Sequence, residues 1–275
     1  MTSSQTDKAQ RFRALHERPG TFLLPNPFDV GTARLLALLG FEALATTSAG
    51  LAFSLGRPDG GLTRAQHLDH ARAIVSATDL PVAADLENCF GDDPATVAET
   101  IRLAAETGLV GGSVEDATGD RHRPIYDFTL AVERVAAAVE AARALPFPFT
   151  LAARAENFLH GRADLDDTLK RLQAFEKAGA DVLYAPGLPS LDAVKLVCSS
   201  LKKPVNVLAV ERTPFSAAEL AAAGAKRISI GSGLSRAALG AFLRAAREMK
   251  ERGTFTFLAD AVRFAEINDM MGKAG

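Results

Sequence analysis

The sequence predicts a (β/α)8 TIM barrel, and three observations carry that prediction. Short β-branched or apolar runs alternate with alanine-rich stretches of helical period, the pattern of parallel strands covered by helices. Eight such runs fit within 275 residues, the usual size of a closed barrel. The turn after the first run, PNPFDVG, lacks the GxGxxG loop that would open a dinucleotide-binding sheet.

In order, the strands are read in TFLLPNP from Thr21, EALATTSAG from Glu42, PVAADLEN from Pro81 and GGSVED from Gly111. They continue in FTLAARAEN from Phe149, ADVLYAPG from Ala180, PVNVLAV from Pro204 and RISIGSG from Arg227. Gly40, Gly108, Gly179 and Gly224 stand where a helix C-terminus needs positive φ, and Pro81, Pro146 and Pro204 stop the helices between. Helix starts are marked by the capping boxes TRAQ at Thr63 and SAAE at Ser216, and by Asp93 followed by Pro94. After Gly253 comes one more helical stretch, TFTFLADAVRFAEINDMMGKAG. Its Phe255, Phe257, Leu258, Val262 and Phe264 would leave apolar surface bare on a monomer, so this extra C-terminal helix is expected to pack on another subunit. Residues 1–275 thus read as one barrel domain, with 254–275 as its oligomerisation helix.

Composition narrows the partners. The 31 basic residues are balanced by 33 acidic ones and no run of five like charges occurs, which argues against a nucleic-acid or membrane-surface binder and favours a small-molecule ligand. The N-terminus is charged where a signal peptide would be apolar, and no apolar span is long enough to cross a bilayer. Two cysteines, Cys89 and Cys198, form neither a disulfide framework nor a zinc set, so a cytoplasmic protein is expected.

In such barrels the reactive groups sit where strands end. Strand two ends in Thr46, Thr47, Ser48 and Gly50; strand three in Asp85 and Glu87; strand four in Glu115 and Asp116; strand five in Arg154, Glu156 and Asn157. Asp59 lies in the loop after strand two. Asp85 and Glu87, two residues apart, should share one face of a strand, an arrangement that is costly without a cation. Carboxylates from Asp59, Asp85, Glu87 and Glu115 converging without histidine or cysteine describe a hard oxygen site suited to Mg2+, or to Mn2+. Arg154 supplies a planar donor for a substrate carboxylate, and the turn from Thr47 through Ser48 and Ala49 to Gly50 offers backbone amides for another. His122, between Arg121 and Arg123 in the loop after strand four, is an acid/base or lid candidate. His67 and His70 are read as surface residues of an outer helix, and Cys89 as a buried, inert thiol. Tyr184, Asn206 and Glu211 are read as possible pocket-lining residues.

The motifs TTSAG, SLGRPDGG, ADLENCFGD, SVEDATGD and ARAEN, in order and in register, resemble the isocitrate lyase/phosphoenolpyruvate mutase superfamily from about Pro25 to about Gly233. The resemblance implies a barrel assembled as a homotetramer, a dimer of helix-swapped dimers. It implies Mg2+ held directly by Asp85, with Asp59, Glu87 and Glu115 acting through water, and an α-oxo acid whose carboxylate is held by Arg154 and the Thr47–Gly50 backbone. The implied chemistry is lyase chemistry on a small α-oxo or α-hydroxy dicarboxylic acid, with Arg154, Asp59 and His122 as catalytic candidates. The loop after strand four, TGDRHRPIYD, departs from the family. It has neither the acid/base cysteine of the lyases nor the lysine with asparagine or threonine of the phosphonate branches. Pro186 and Leu208 stand where the lyases present a glutamate and an asparagine. An oxaloacetate decarboxylase-like reaction fits best, with phosphorus–carbon chemistry and a non-catalytic oxo-acid-binding barrel as alternatives.

Overall fold

The computed structural model describes residues 3–209 and 215–273. The strands are β1 (Phe22–Leu24), β2 (Leu44–Ala45), β3 (Val82–Asp85), β4 (Gly111–Glu115), β5 (Thr150–Arg154), β6 (Val182–Tyr184), β7 (Val205–Leu208) and β8 (Arg227–Ser229). Helix α1 (Gln5–Glu17) precedes them, and α2 (Val30–Leu38), α3 (Ser48–Ser54), α4 (Arg64–Ser76), α5 (Pro94–Glu106) and α6 (Phe128–Arg143) follow the early strands. The series continues with α7 (Leu165–Ala178), α8 (Leu191–Ser199), α9 (Ala217–Ala222), α10 (Gly233–Arg252) and α11 (Phe264–Lys273).

All eight expected strands form one parallel sheet in the order β1-β8-β7-β6-β5-β4-β3-β2. Its two ends are joined without a full ladder: the Ala45 amide donates to the Pro25 carbonyl at 3.1 Å, and Asn26 Nδ2 donates to the carbonyls of Ala45 and Thr46 at 3.1 and 3.0 Å. The result is a nearly closed TIM barrel. The punctuation works as its chemistry dictates. Gly40, Gly108, Gly179 and Gly224 all have positive φ, and the boxes at Thr63 and Ser216 close on Gln66 and Glu219. The main apolar core fills the space between strands and helices, from Ile74, Val97 and Ile101 to Leu172, Phe175 and Val197. A second cluster, Phe12, Leu15, Phe22 and Leu24, lets α1 close the barrel floor.

The end of the chain departs from expectation. Residues from Thr254 form not one helix but a 3-10 turn, Thr256–Ala259, followed by α11. Gly253, at φ 63°, ends α10, and Glu248 Oε1 then gathers the Thr254 hydroxyl at 2.8 Å and the Thr256 amide at 2.6 Å, which fixes a corner in place of a continuous helix. The apolar exposure expected there is present: Phe255, Leu258, Val262 and Phe264 are exposed, whereas Phe257 is half-buried. Helix α10 adds Leu239, Phe242, Leu243 and Met249 to this bare surface, and α11 rests against α2.

Candidate active site

The site is built from the C-terminal ends of β2 to β5. Asp85 closes β3, and its amide donates to Thr46 Oγ1 at 3.1 Å. Its Oδ2 accepts the Ser48 amide at 3.1 Å, and its Oδ1 accepts Arg154 Nη1 at 3.0 Å. The Thr47–Gly50 segment, expected as a turn, is the first turn of α3, capped by Thr47 Oγ1 accepting from the Gly50 amide at 3.3 Å. Gly50 is required there, since a Cβ would lie 2.5 Å from Thr47 Cγ2 and 3.0 Å from Phe28 Cβ. Ala49 completes the turn half-buried.

Arg154 is the hub. From the end of β5 it reaches Asp85, Glu115 at 3.1 Å and Glu156 at 2.7 Å, with its guanidinium 5.1 Å from the Tyr184 ring centre. Glu156 is fixed in turn by the loop it starts: its amide donates to Asp116 Oδ1 at 2.8 Å, and Asp116 Oδ2 accepts Arg171 Nη1 at 3.0 Å. Asp116 therefore turns away from the site and shapes the loop behind it.

Glu87 reaches the site by a different route from the one its spacing suggests. β3 stops at Asp85, and Glu87 adopts a left-handed conformation at φ 50°, followed by Cys89 at 59° and Phe90 at 63°. The alternation of a strand therefore does not place Glu87 beside Asp85; a strained loop does, at a cost on the order of 1–3 kcal/mol per residue so held. The loop is clamped by the buried guanidinium of Arg134, which donates to the carbonyls of Asn88, Gly91 and Asp92 and lies 4.1 Å from the Tyr126 ring centre. Cys89 is enclosed within it, free, and burial pushes its thiol up to about 12, so it stays an unreactive thiol.

Arg154 thus pairs with three carboxylates, Asp85, Glu115 and Glu156, while Asp59 and Glu87 face the same cavity without contacting its guanidinium. Burial opposes ionisation of Asp85, but Arg154 and the Ser48 amide and hydroxyl hold it below its ordinary value. Its neighbours bear the cost. Burial, then Asp85 and Asp59, push Glu87 up to about 7; burial and Asp85 raise Asp59; and burial, with Glu156, Asp85 and Glu87 outweighing Arg154, raises Glu115 well above the carboxylate range. Asp59, Glu87, Glu115 and Arg154 line a cavity of about 1190 Å3 that opens to solvent past Thr118, Gly119 and Arg121. Among the described residues no three Asp, Glu, His or Cys side chains stand close enough to chelate an ion together. The donor set fits a cation bound through one carboxylate, with water carrying its remaining contacts, as Mg2+ prefers.

A phosphoenolpyruvate phosphomutase family model matches residues 12–250. The chain belongs to that family. It is an enzyme of the phosphoenolpyruvate mutase/isocitrate lyase superfamily. It is 62% identical to a putative lyase/mutase from Burkholderia cenocepacia J2315, with a TM-score of 0.94 over 96% of this chain and 95% of that one. It is 29% identical to 2,3-dimethylmalate lyase of Eubacterium barkeri over 96% of this chain and 94% of the lyase. Its fold also matches phosphonopyruvate hydrolase, solved in complex with oxalate and Mg++, with a TM-score of 0.85 at 24% identity, over 97% of this chain and 95% of the hydrolase.

In this family member, the other expected residues scatter. His122 lies at the exposed tip of the loop after β4, its amide bound to Asp120 Oδ1 at 2.8 Å, and Arg121 reaches the cavity instead. His67 and His70 are not surface residues. His67 is 5% exposed, and His70 Nε2 sits 3.1 Å from the Phe28 carbonyl oxygen, because α4 turns both inward beneath the site. Tyr184 and Asn206, by contrast, line a smaller cavity of about 60 Å3 inside the barrel that Asp85 and Arg154 also line, with Arg227 and Ser229. Arg227 Nε donates to Asn206 Oδ1 at 2.8 Å. Leu208 packs against a small apolar pocket beside Phe215 and Leu220, and neither it nor Pro186 lines the acidic cavity. Glu211 lies outside the described residues. Sequence reasoning missed Arg134, Arg171 and His67, which are helix positions whose inward direction only packing fixes.

Proposed function

We propose that the chain is a divalent-metal-dependent carbon–carbon lyase, cleaving a small α-oxo or α-hydroxy dicarboxylic acid by decarboxylation or retro-aldol chemistry. The observation that carries this reading is the excess of carboxylates over the Arg154 guanidinium at one mouth, where burial and mutual repulsion raise Glu87, Glu115 and Asp59 above their ordinary values and added positive charge would favour their ionised forms. Mg2+ would be held by Asp85, with Asp59, Glu87 and Glu115 through water, and Mn2+ could take its place. When bound, such an ion supplies positive charge beside the oxygen on which an enolate develops. The solved hydrolase with oxalate and Mg++ supports this choice of ion and of ligand class.

The chain's own residues supply the rest. Arg154 donates to Glu156 through Nε and to Asp85 through Nη1 and ion-pairs with Glu115 through Nη2, and the remaining N–H donors of its Nη groups would take the substrate carboxylate. In the Thr47–Gly50 turn the Ser48 amide is engaged by Asp85 and the Gly50 amide by Thr47 Oγ1, so the Ala49 amide would serve the same end of the substrate. Arg121, with the loop after β4, covers the outer cavity and excludes water as it closes. Arg121 and Arg64 on that wall also suit a phosphonate, the basis of a second reading as phosphorus–carbon chemistry.

We also propose a homotetramer of helix-swapped dimers, in which the bare apolar faces of α10 and the residues after Gly253 are covered by a partner subunit. No described helix is long and apolar enough to cross a membrane. Two measurements test these readings. Purified protein treated with EDTA and given Mg2+ is assayed with oxaloacetate, 2,3-dimethylmalate and phosphonopyruvate: metal-dependent pyruvate or propionate release supports the lyase, phosphate release supports the second reading, and metal-independent turnover contradicts both. Truncation after Gly253 should lower the sedimentation coefficient to that of a smaller assembly; an unchanged profile contradicts the tetramer.

A further inference from the structure

The structure assigns His67 as a positioning residue that aims the Glu87 carboxylate into the site, an inference that rests on the metal reading above. Two independent observations meet at this side chain. His67 Nε2 is buried with no hydrogen-bond partner, although buried polar atoms are almost always paired. It lies 3.6 Å from Glu87 Oε1, just beyond a hydrogen bond.

The surroundings leave little freedom to either partner. The His67 ring packs against Phe90, centroids 4.9 Å apart, and Phe90 and Glu87 are both held left-handed in the loop that Arg134 clamps from the other side. Glu87 thus meets His67 from a backbone that is held in place on both sides. Closing a few tenths of an ångström would turn the 3.6 Å approach into an Nε2–H donation to Oε1, leaving Oε2 for a metal-bound water. Buried histidines that donate to or orient ligands behind a metal are the general pattern of outer-shell support. A structural role alone would not leave Nε2 without a partner, since a phenyl ring would fill the same space without an orphaned nitrogen.

The test compares His67→Phe, which keeps the ring on Phe90 and removes the donor, with His67→Gln, which restores a donor near the Nε2 position. Mg2+ is titrated calorimetrically into EDTA-stripped full-length protein, with thermal melts as the fold control. Expected for His67→Phe are an unchanged or raised melting temperature and a Mg2+ affinity roughly 10-fold or more weaker, with His67→Gln within about threefold of the parent. A His67→Phe protein that binds Mg2+ like the parent overturns the assignment. So does one whose affinity loss is not recovered by His67→Gln. A parent protein that binds no Mg2+ overturns the metal reading itself, and the assignment with it.

Discussion

The two halves of the barrel mouth are built from the same strand-loop-helix unit and differ in charge. β3, β4 and β5 end in Asp85, Glu115 and Arg154, whereas β6, β7 and β8 end in Tyr184, Leu208 and Ser229. The first half concentrates like charges at half-buried positions and raises three carboxyls. The second half pairs its polar groups internally: Asn206 Nδ2 donates to Ser229 Oγ at 2.9 Å, and Asn206 Oδ1 accepts from Arg227 Nε at 2.8 Å. One half carries acids in excess of its cations; the other hydrogen-bonds its polar groups to one another, with the buried Arg227 guanidinium bound to Asn206 and carrying no ion pair among the described residues. The excess of acid makes the first half the side that a cation would complete.

Breaking the hub tests this contrast most severely. Arg154→Met leaves Asp85, Glu115 and Glu156 without their shared guanidinium and should cost about 3–5 kcal/mol of unfolding free energy at pH 8, read by urea melts. The loss should shrink toward pH 5 as Glu115, which burial raises, takes up its proton; an equal loss at both values would contradict the electrostatic account. The next largest effect is on the pH dependence of the metal-free protein. Glu87 holds its proton up to about 7, where an unfolded glutamate has already released it, so the folded state binds more protons across the window from about 4.5 to 7. Its contribution is therefore present below that window and lost as pH rises through it, a decline of up to about 3 kcal/mol that Glu87→Gln should flatten. If Glu87→Gln leaves the stability profile unchanged in shape, Glu87 is not the frustrated group. On the satisfied half, Ser229→Ala removes the hydroxyl that accepts from Asn206 and should cost only about 0.5–1.5 kcal/mol, with Mg2+ affinity unchanged. A Ser229→Ala protein with weakened metal binding would erase the contrast between the halves.

The barrel was legible because local chemistry states it: glycines at positive φ, prolines at helix stops and capping boxes are one-residue signals that do not depend on the rest of the fold. Two of the acids and their cation were legible for the same reason, since Asp85, Glu115 and Arg154 sit on strand ends whose direction follows from the strand. Glu87 was reached by a false step, because the left-handed residues Glu87, Cys89 and Phe90, none of them glycine, have no sequence signature, and its place near Asp85 comes from the loop that Arg134 clamps. His67, like Arg134, lies on a helix whose inward face is decided by packing, so a histidine that reads as solvated is buried against the site. The residues after Gly253 read as one helix from their apolar spacing, but Glu248 collects Thr254 and Thr256 and breaks it, a long-range capping contact that periodicity does not contain.

The central claim is that the acid-rich half of the mouth is completed by a cation held through Asp85. Calorimetric titration of Mg2+ into EDTA-stripped protein and its Asp85→Ala variant, at pH 6 and pH 8, tests it directly. The account predicts one ion per chain in the parent, bound more tightly at pH 8 as Glu87 gives up its proton, and no binding in Asp85→Ala. Binding that is absent in the parent, or that survives Asp85→Ala with the same affinity at both pH values, would contradict it.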